Sequence, residues 1–161
     1  MIRVLFVCLG NICRSPMAEA VFAHLVNEAG LQNEIEVDSA GTGDWHVGAP
    51  AHHGTQEVLR EAGIEYSGCG RQITREDLQN FDYIITMDNE NLANVRALIT
   101  GSTPPKARIV PLLEYSREAQ AQDMAEVPDP YFVGGFDVTY QLVDSGCRGL
   151  LETIRREQQN L

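Results

Sequence analysis

The feature that most constrains this chain is a short loop from a cysteine to an arginine, set between an apolar strand and a helix start. Residues 2–8 form an apolar run with Val, Ile and Phe, which is typical of a strand buried on both faces. Ser15-Pro16 then predicts a helix start, with Ser15 as the N-cap and Pro16 in the first helical position. In a parallel sheet, this arrangement places Cys8 at the carboxyl end of its strand, where ligands bind.

The loop after Cys8 has the composition of an anion site. Gly10 and Asn11 tolerate the backbone angles that turn successive N–H groups toward one point, and the helix dipole adds positive potential there. Arg14 supplies a planar cation that binds two oxygens at once. The predicted phosphate-binding residues are consecutive: Leu9, Gly10, Asn11, Ile12, Cys13, Arg14 and Ser15.

Cys8 is the candidate nucleophile of this pocket. The thiolate is the reactive form of cysteine, so a catalytic cysteine needs stabilisation of negative charge, and the Ser15 hydroxyl is placed to donate to it. The alternative is a structural Cys8 and a surface Arg14 on an ordinary turn. The strand before the loop, the glycine within it and the helix after it favour the catalytic interpretation.

The rest of the chain alternates strands with helices. Further strands are predicted at 34–39, 83–87 and 109–112, with a loop at 40–43 and an irregular stretch at 116–135. Helices are predicted at 16–29, 53–62, about 89–99 and from 136 onward. This order predicts an α/β fold in which helices cover both faces of a parallel sheet, as in flavodoxin-like and Rossmann-like proteins. A length of 161 residues fits a single domain over 1–161.

Charge and cysteine content exclude several classes of protein. With 12 Lys and Arg against 23 Asp and Glu, the net charge of −11 disfavours binding to nucleic acid or anionic membranes. No apolar run is long enough for a bilayer span, and the run at 2–8 is too short for a signal peptide. The four cysteines form no CxxC pair and no zinc-site spacing, which favours a reducing, cytoplasmic setting and no metal.

Residues 7–20 resemble the signature of low-molecular-weight protein tyrosine phosphatases. Their sequence is Val-Cys-Leu-Gly-Asn-Ile-Cys-Arg-Ser-Pro-Met-Ala-Glu-Ala. Further segments recur in family order: 38–42, 71–73, 81–84, 87–88 and 127–131. The resemblance implies a four-stranded, phosphotyrosine phosphatase I-like sheet, a cysteinyl-phosphate intermediate and neither metal nor cofactor. It also implies phosphotyrosine proteins and small aryl phosphates as substrates. We expect a monomer or weak self-association.

Asp129 is the candidate general acid. Phosphate transfer to a cysteine expels a phenolate, which a positioned carboxylic acid can protonate. Asp129 lies between Pro128 and Pro130 and matches the catalytic Asp-Pro-Tyr loop of the family. The alternative is that these residues form only a turn, and Asp88 and Asp137 are the other acids considered.

Apolar walls are expected around the phosphate. Ile12 is predicted to contact the substrate near the phosphate, and Trp45 and Tyr131 to stack on a substrate ring. Trp45 lies in a Gly-rich loop over 41–52, which argues for exposure rather than burial in the core. A deep aromatic slot favours phosphotyrosine over the shorter phosphoserine.

Supporting residues are predicted partly by the resemblance. Asn11 is expected to hold the loop open, and Ser39 resembles a family serine that contacts this asparagine. A family histidine that precedes the Arg-Gln-Ile segment is absent from the stretch that contains Gly68. Cys13 is a candidate disulfide partner that protects Cys8 from oxidation, or else a packing residue.

Three other functions remain open. A thiol-linked arsenate reductase shares the fold, but its chemistry needs further cysteines that lie close together. Cys69 and Cys147 are far apart in the sequence. Cys147 is predicted to lie in the core, and no role can be assigned to Cys69. Protein arginine phosphatases resemble this chain but carry threonine in place of Ile12. A catalytically silent phosphate-binding module would not need the full set of Cys8, Arg14 and Asp129.

Overall fold

A computed structural model of the chain describes residues 1–159. These residues contain one parallel sheet of four strands: β1 Ile2–Cys8, β2 Ile35–Gly41, β3 Tyr83–Thr86 and β4 Arg108–Pro111. The strands lie in the order β2-β1-β3-β4, and each adjacent pair is parallel. The predicted fold class is therefore confirmed.

Helices cover both faces of this sheet. Their bounds are α1 Arg14–Glu28, α2 His53–Glu61, α3 Asp77–Asn80, α4 Asn89–Arg96, α5 Arg117–Ala121, α6 Pro130–Val133 and α7 Phe136–Gln159, with a 3-10 turn at Leu112–Tyr115. Residues of α1, α2 and α7 share one apolar cluster, and residues of α3 and α4 share the other. No helix in residues 1–159 is long and apolar enough to cross a membrane.

Strand β1 is central because both of its faces are buried. Val4 and Phe6 pack in the cluster with α1 and α7, whereas Leu5 and Val7 pack in the opposite cluster. Alternate side chains of a strand point to opposite faces, so an uninterrupted apolar run is needed to fill both layers. The run at 2–8 predicts this role correctly.

The start of α1 differs from the prediction. The helix begins at Arg14, and its N-cap is Cys13, which makes no side-chain capping bond. The prediction of Ser15 as N-cap and Pro16 as first helical residue is therefore wrong. The Ser15 hydroxyl instead lies 3.0 Å from the Cys8 thiol and accepts a hydrogen bond from Asn11. A tertiary partner has overridden the local capping preference.

Other boundaries shift for physical reasons. Strand β2 continues through Gly41 because its backbone stays paired with β1 as far as Cys8. Helix α4 ends at Arg96, earlier than expected, and Asp88 caps its start. The stretch 116–135 is not wholly irregular, since it contains α5 and α6. Helices of four or five residues are too short to show a hydrophobic period.

The strand order places the end of β1 at a switch point of the sheet. The chain passes from β1 to β2 on one side and later returns to β3 on the other side of β1. Connections on opposite sides of a strand diverge and leave a crevice beyond its carboxyl end. Cys8 is the last residue of β1 and therefore lies at this crevice.

We expect Gly149→Ala to destabilise the protein, although alanine is the better helix former. A Cβ at position 149 would lie 1.8 Å from the carbonyl oxygen of Tyr115, so α7 would have to move away from the 3-10 turn. The expected loss in the free energy of unfolding, measured with urea, is about 1–3 kcal/mol. Gln141→Ala, at an exposed position of α7, is the control and should stay within about 0.5 kcal/mol of wild type. A gain of about 1 kcal/mol for Gly149→Ala, as helix propensity alone gives, would contradict this packing.

Candidate active site

A cavity of about 240 Å³ opens at the carboxyl end of β1. Its lining residues come from three separate segments of the chain: Cys8, Leu9, Gly10, Ile12, Cys13, Trp45, His46, Asp129, Tyr131 and Phe132. Asn11, Arg14, Ser15 and Ser39 do not line this cavity and lie among the buried polar residues. The fold thus brings the sequence-predicted residues into two layers, one facing the cavity and one behind it.

The loop after β1 directs hydrogen-bond donors at Cys8. Asn11 adopts the left-handed conformation, with φ of 56°, and its N–H donates to the Cys8 sulfur over 3.3 Å. The hydroxyl of Ser15 lies 3.0 Å from the same sulfur. Cys8 is 2% exposed, so these groups take the place of water around the thiol. Donors at these positions stabilise a thiolate.

Arg14 is a buried cation with acidic partners. Its guanidinium donates to Asp88 over 2.7 Å, to the carbonyl oxygen of Val127 over 3.0 Å and to Asp129 over 3.3 Å. Burial tends to lower the pKa of Arg14, but the nearby Cys8, Asp88 and Asp129 raise it overall. Among the described residues, Nε of Arg14 is buried without a hydrogen-bond partner. A bound oxyanion would satisfy this N–H group.

The three candidate acids have different surroundings. Asp129 lines the cavity, caps α6 by accepting the N–H of Tyr131 over 3.1 Å, and pairs with Arg14. Asp88 does not line the cavity; its carboxylate binds Arg14 and caps α4. Asp137 is exposed in the first turn of α7 and does not line the cavity. Of the three, Asp129 has the placement that a proton donor to the cavity requires.

The cavity mouth is aromatic. Trp45 is 70% exposed and Tyr131 is 51% exposed, and both line the cavity. His46 and Phe132 also line it, and sequence reasoning assigned no role to either. Their adjacency to Trp45 and Tyr131 is the signal that could have found them, because loop residues next to a cavity wall often belong to its rim.

Asn11 is held by hydrogen bonds from every side of its amide. Its oxygen accepts the N–H of Arg71 over 2.9 Å, and its nitrogen donates to Ser15 and Ser39 over 2.8 and 3.0 Å. Ser39 in turn donates to Glu19 over 2.5 Å. The left-handed residue of the loop is therefore fixed by a chain of bonds that leads away from the cavity.

Tyr66, immediately before the stretch that lacks the family histidine, continues this network. Its hydroxyl donates to Glu19 over 3.2 Å, at the same oxygen that Ser39 contacts. A Cβ at position 68 would lie 2.5 Å from the Tyr66 hydroxyl oxygen, so glycine there leaves the space that this ring occupies. Burial raises the pKa of Glu19, and hydrogen bonds from Ser39 and Tyr66 counteract that rise.

The other cysteines differ in their surroundings. Cys13 is buried in the loop, and burial together with the charges of Cys8 and Asp129 raises its pKa to about 12. Cys147 is fully buried in α7, as predicted for a core residue, whereas Cys69 is exposed. Within residues 1–159, no group of three His, Cys, Asp or Glu side chains is arranged to hold a metal ion.

The chain is similar to known proteins over nearly its whole length. A family profile described as low molecular weight phosphotyrosine protein phosphatase matches residues 3–160. The low molecular weight protein-tyrosine-phosphatase YfkJ of Bacillus subtilis is 49% identical over 160 residues, covering 99% of each chain. The crystal structure of YfkJ has a TM-score of 0.91 and covers 98% of this chain and 96% of that one. The crystal structure of DARP, a Drosophila arginine phosphatase, is 38% identical with a TM-score of 0.85, covering 94% and 96%.

Tyr66→Phe should weaken the network behind Asn11 in a pH-dependent way. Loss of the hydrogen bond to Glu19 is expected to lower the free energy of unfolding by about 1–2 kcal/mol near neutral pH. Because the pKa of Glu19 is already raised from 4.5 in the folded state, stability falls as pH rises through the range above 4.5. The variant raises this pKa further, so its deficit should be smallest near pH 4 and should grow toward neutral pH.

Urea unfolding of both proteins between pH 4 and 8 measures this deficit. Tyr140→Phe is the matched control, because the Tyr140 hydroxyl makes no side-chain hydrogen bond within residues 1–159. A deficit for Tyr66→Phe that does not change with pH would show that the hydroxyl does not act through Glu19.

Proposed function

We propose that this chain, which belongs to the low molecular weight phosphotyrosine protein phosphatase family, hydrolyses phosphotyrosine through a phosphocysteine on Cys8. The motif at 7–20 predicts this family correctly. One observation carries the mechanism. Cys8 and Asp129 line one cavity, and the Arg14 guanidinium, buried behind the cavity, donates a hydrogen bond to Asp129, although Asp129 follows Arg14 by 115 positions in the sequence. A nucleophile, an anion-binding cation and a proton donor at one point are what phosphate ester hydrolysis requires.

In the first step, the loop N–H groups and Arg14 bind the phosphate dianion. The Cys8 thiolate attacks phosphorus, and a sulfur–phosphorus bond forms as the bond from phosphorus to the phenolic oxygen breaks. The departing oxygen takes the electron pair of that bond and a proton from Asp129. Charge on the equatorial oxygens is matched by donors that are already in place, so little reorganisation is needed.

In the second step, water hydrolyses the phosphocysteine. Asp129, now a carboxylate, accepts a proton from the attacking water, and the sulfur–phosphorus bond breaks. The thiolate of Cys8 is restored and inorganic phosphate leaves. The hydrogen bonds from Asn11 and Ser15 stabilise the thiolate as a leaving group in this step.

The cavity walls support an aromatic phosphate as substrate. Ile12 lies at the side of the cavity, and Trp45, Tyr131 and Phe132 form an apolar rim that would flank a phenyl ring. Cys8 is nearly fully buried at the end of β1, so the phosphate must reach below this rim. A phosphotyrosine side chain is long enough to do so, and phosphoserine is shorter.

Protein arginine phosphatase activity is the second candidate, and it is favoured by the similarity to the Drosophila arginine phosphatase. The apolar Ile12 beside the cavity disfavours it, since a guanidinium carries N–H donors that an isoleucine side chain cannot accept. A thiol-linked arsenate reductase is disfavoured because Cys147 is buried in the core while Cys69 is exposed.

Further features of the proposal follow from charge and composition. We infer one domain over 1–161, a cytoplasmic location, and phosphoproteins and small aryl phosphates as partners rather than nucleic acid or membranes. The net charge of −11 supports the exclusion of nucleic acid. It also favours a monomer or weak self-association, because like-charged copies repel each other.

Redox protection of Cys8 by Cys13 is also part of the proposal. Peroxide would oxidise the Cys8 thiolate to a sulfenic acid, and the Cys13 thiol would then displace water from it to form a disulfide. The pKa of Cys13, raised to about 12, keeps Cys13 a thiol at neutral pH, so peroxide reacts with Cys8 first.

Asp129→Ala should reduce kcat for phosphotyrosine about 10²- to 10³-fold, because the phenolate then leaves without a proton. The loss should be smaller with para-nitrophenyl phosphate, whose leaving group needs less protonation. Asp137→Ala, which removes an exposed carboxylate outside the cavity, is the matched control and should retain activity. Cys8→Ser should abolish turnover of both substrates.

The same assay tests the competing functions. EDTA should leave the wild-type rate of hydrolysis unchanged. In a separate assay, the protein should not catalyse the reduction of arsenate by thiols. Phosphoarginine hydrolysis faster than phosphotyrosine hydrolysis would support the second candidate. Activity that survives Cys8→Ser, or normal turnover of poor leaving groups by Asp129→Ala, would rule out the proposed mechanism.

Cys13→Ala should make peroxide inactivation irreversible. After peroxide treatment, wild type should recover most of its own starting activity with dithiothreitol, whereas the variant should recover little because Cys8 oxidises further. Mass spectrometry should show loss of two hydrogens across Cys8 and Cys13 in wild type. Cys69→Ala is the control and should recover as wild type does; equal recovery by Cys13→Ala would contradict the protective role.

A further inference from the structure

A second groove, of about 360 Å³, lies next to the phosphate cavity. Leu9 and Trp45 line both the cavity and this groove. Trp45 and Leu9 are therefore the residues that the phosphate cavity and the groove share. We call it the flanking groove, and its polar lining comes from Thr42, Gln72, Glu90 and Asn94.

The absence of a side chain at Gly43 makes room for the Trp45 indole. A Cβ at position 43 would lie 1.9 Å from a ring carbon of Trp45, so the indole lies directly against the Gly43 backbone. An indole that is 70% exposed would otherwise have freedom to turn. The ring therefore packs against the backbone of its own loop, at the place where the cavity and the groove adjoin.

The flanking groove differs from the phosphate cavity in charge and polarity. Glu90, in the first turn of α4, is the charged member of its lining, and it makes no ion pair within residues 1–159. Gln72 is held in place by a hydrogen bond from its amide nitrogen to the carbonyl oxygen of Thr42, over 3.1 Å. Asn94 lies one helical turn after Glu90 on the same side of α4. The groove thus offers amides and one free carboxylate.

A phosphoprotein substrate must cross the rim of the phosphate cavity, and this step rests on the proposed function. A cavity of about 240 Å³ accommodates a phosphotyrosine side chain but not the residues on either side of it. A chain that leaves the cavity over Trp45 enters the flanking groove directly. There, Gln72 and Asn94 can hydrogen-bond peptide groups, and Glu90 favours a cation.

We propose that the flanking groove binds the substrate residues next to phosphotyrosine and selects a lysine or arginine opposite Glu90. The occupant is a peptide of the substrate because the groove adjoins the phosphate cavity and shares Leu9 and Trp45 with it. The occupant is basic because the lining carries a single unpaired carboxylate. The exposed Asp44, adjacent to Trp45 in the sequence, adds negative charge on the same rim.

Phosphotyrosine peptides of equal length test this proposal. The peptides differ only in the residues one to three positions from phosphotyrosine, which are arginine, glutamine or glutamate in turn. For each protein, kcat/KM is expressed relative to that protein's own turnover of para-nitrophenyl phosphate, which does not extend beyond the phosphate cavity. Wild type should favour arginine over glutamine at one or more positions about two- to fivefold, the range for an exposed ion pair.

Glu90→Gln should remove this preference, and Glu90→Arg should reverse it toward the glutamate peptides. Glu118→Gln is the matched control, since Glu118 is also an exposed glutamate in the first turn of a helix, α5, and lines neither the cavity nor the flanking groove. It should keep the wild-type preference.

The outcomes separate the two proposals. If wild type hydrolyses none of the phosphotyrosine peptides, the proposed function fails. If wild type hydrolyses them all at one relative rate, the function stands and the groove proposal is overturned. An equal loss of preference in Glu118→Gln and Glu90→Gln would assign the preference to the overall negative charge, which also overturns the groove proposal.

Discussion

The buried charge of Arg14 sets the arrangement of the segments around the crevice. A guanidinium that is only 2% exposed has lost nearly all of its contact with water, and a buried charge is tolerated when it is paired and hydrogen-bonded. Its partners are Asp88 at the start of α4, the carbonyl of Val127 and Asp129 at the start of α6. The requirement to satisfy one cation therefore positions the loop that carries the candidate acid against the loop that carries the nucleophile.

The second constraint is the left-handed backbone of Asn11. This conformation costs about 1–2 kcal/mol for a residue with a side chain, although asparagine adopts it more readily than most. Hydrogen bonds to the backbone of Arg71 and to the hydroxyls of Ser15 and Ser39 compensate for that cost. The donors around Cys8 are thus set by the folded protein before any phosphate binds, which is the condition for electrostatic preorganisation.

Local sequence predicted those parts of the fold in which a residue pattern is compatible with a single structure. The apolar run of β1 could fill both layers of the core only as a central strand. The prediction failed at Ser15, where a good N-cap residue lies inside the helix because its hydroxyl has partners in Cys8 and Asn11. It also failed at α5 and α6, because their four or five residues form less than two helical turns.

The sequence by itself determined the fold class and the family, and it identified Cys8, Arg14 and Asp129 as the residues to examine. Their chemical types and the spacing of the first loop carry that information, since an anion loop needs consecutive N–H groups and a nearby cation. Only the tertiary structure decided that Asp129 rather than Asp88 faces the cavity, and that Tyr66 and Glu19 support the loop through Ser39 and Asn11. These contacts join residues that are far apart in sequence. Local conformational preferences describe only neighbouring residues, so they do not predict such pairs. The packing of whole elements alone brings them together.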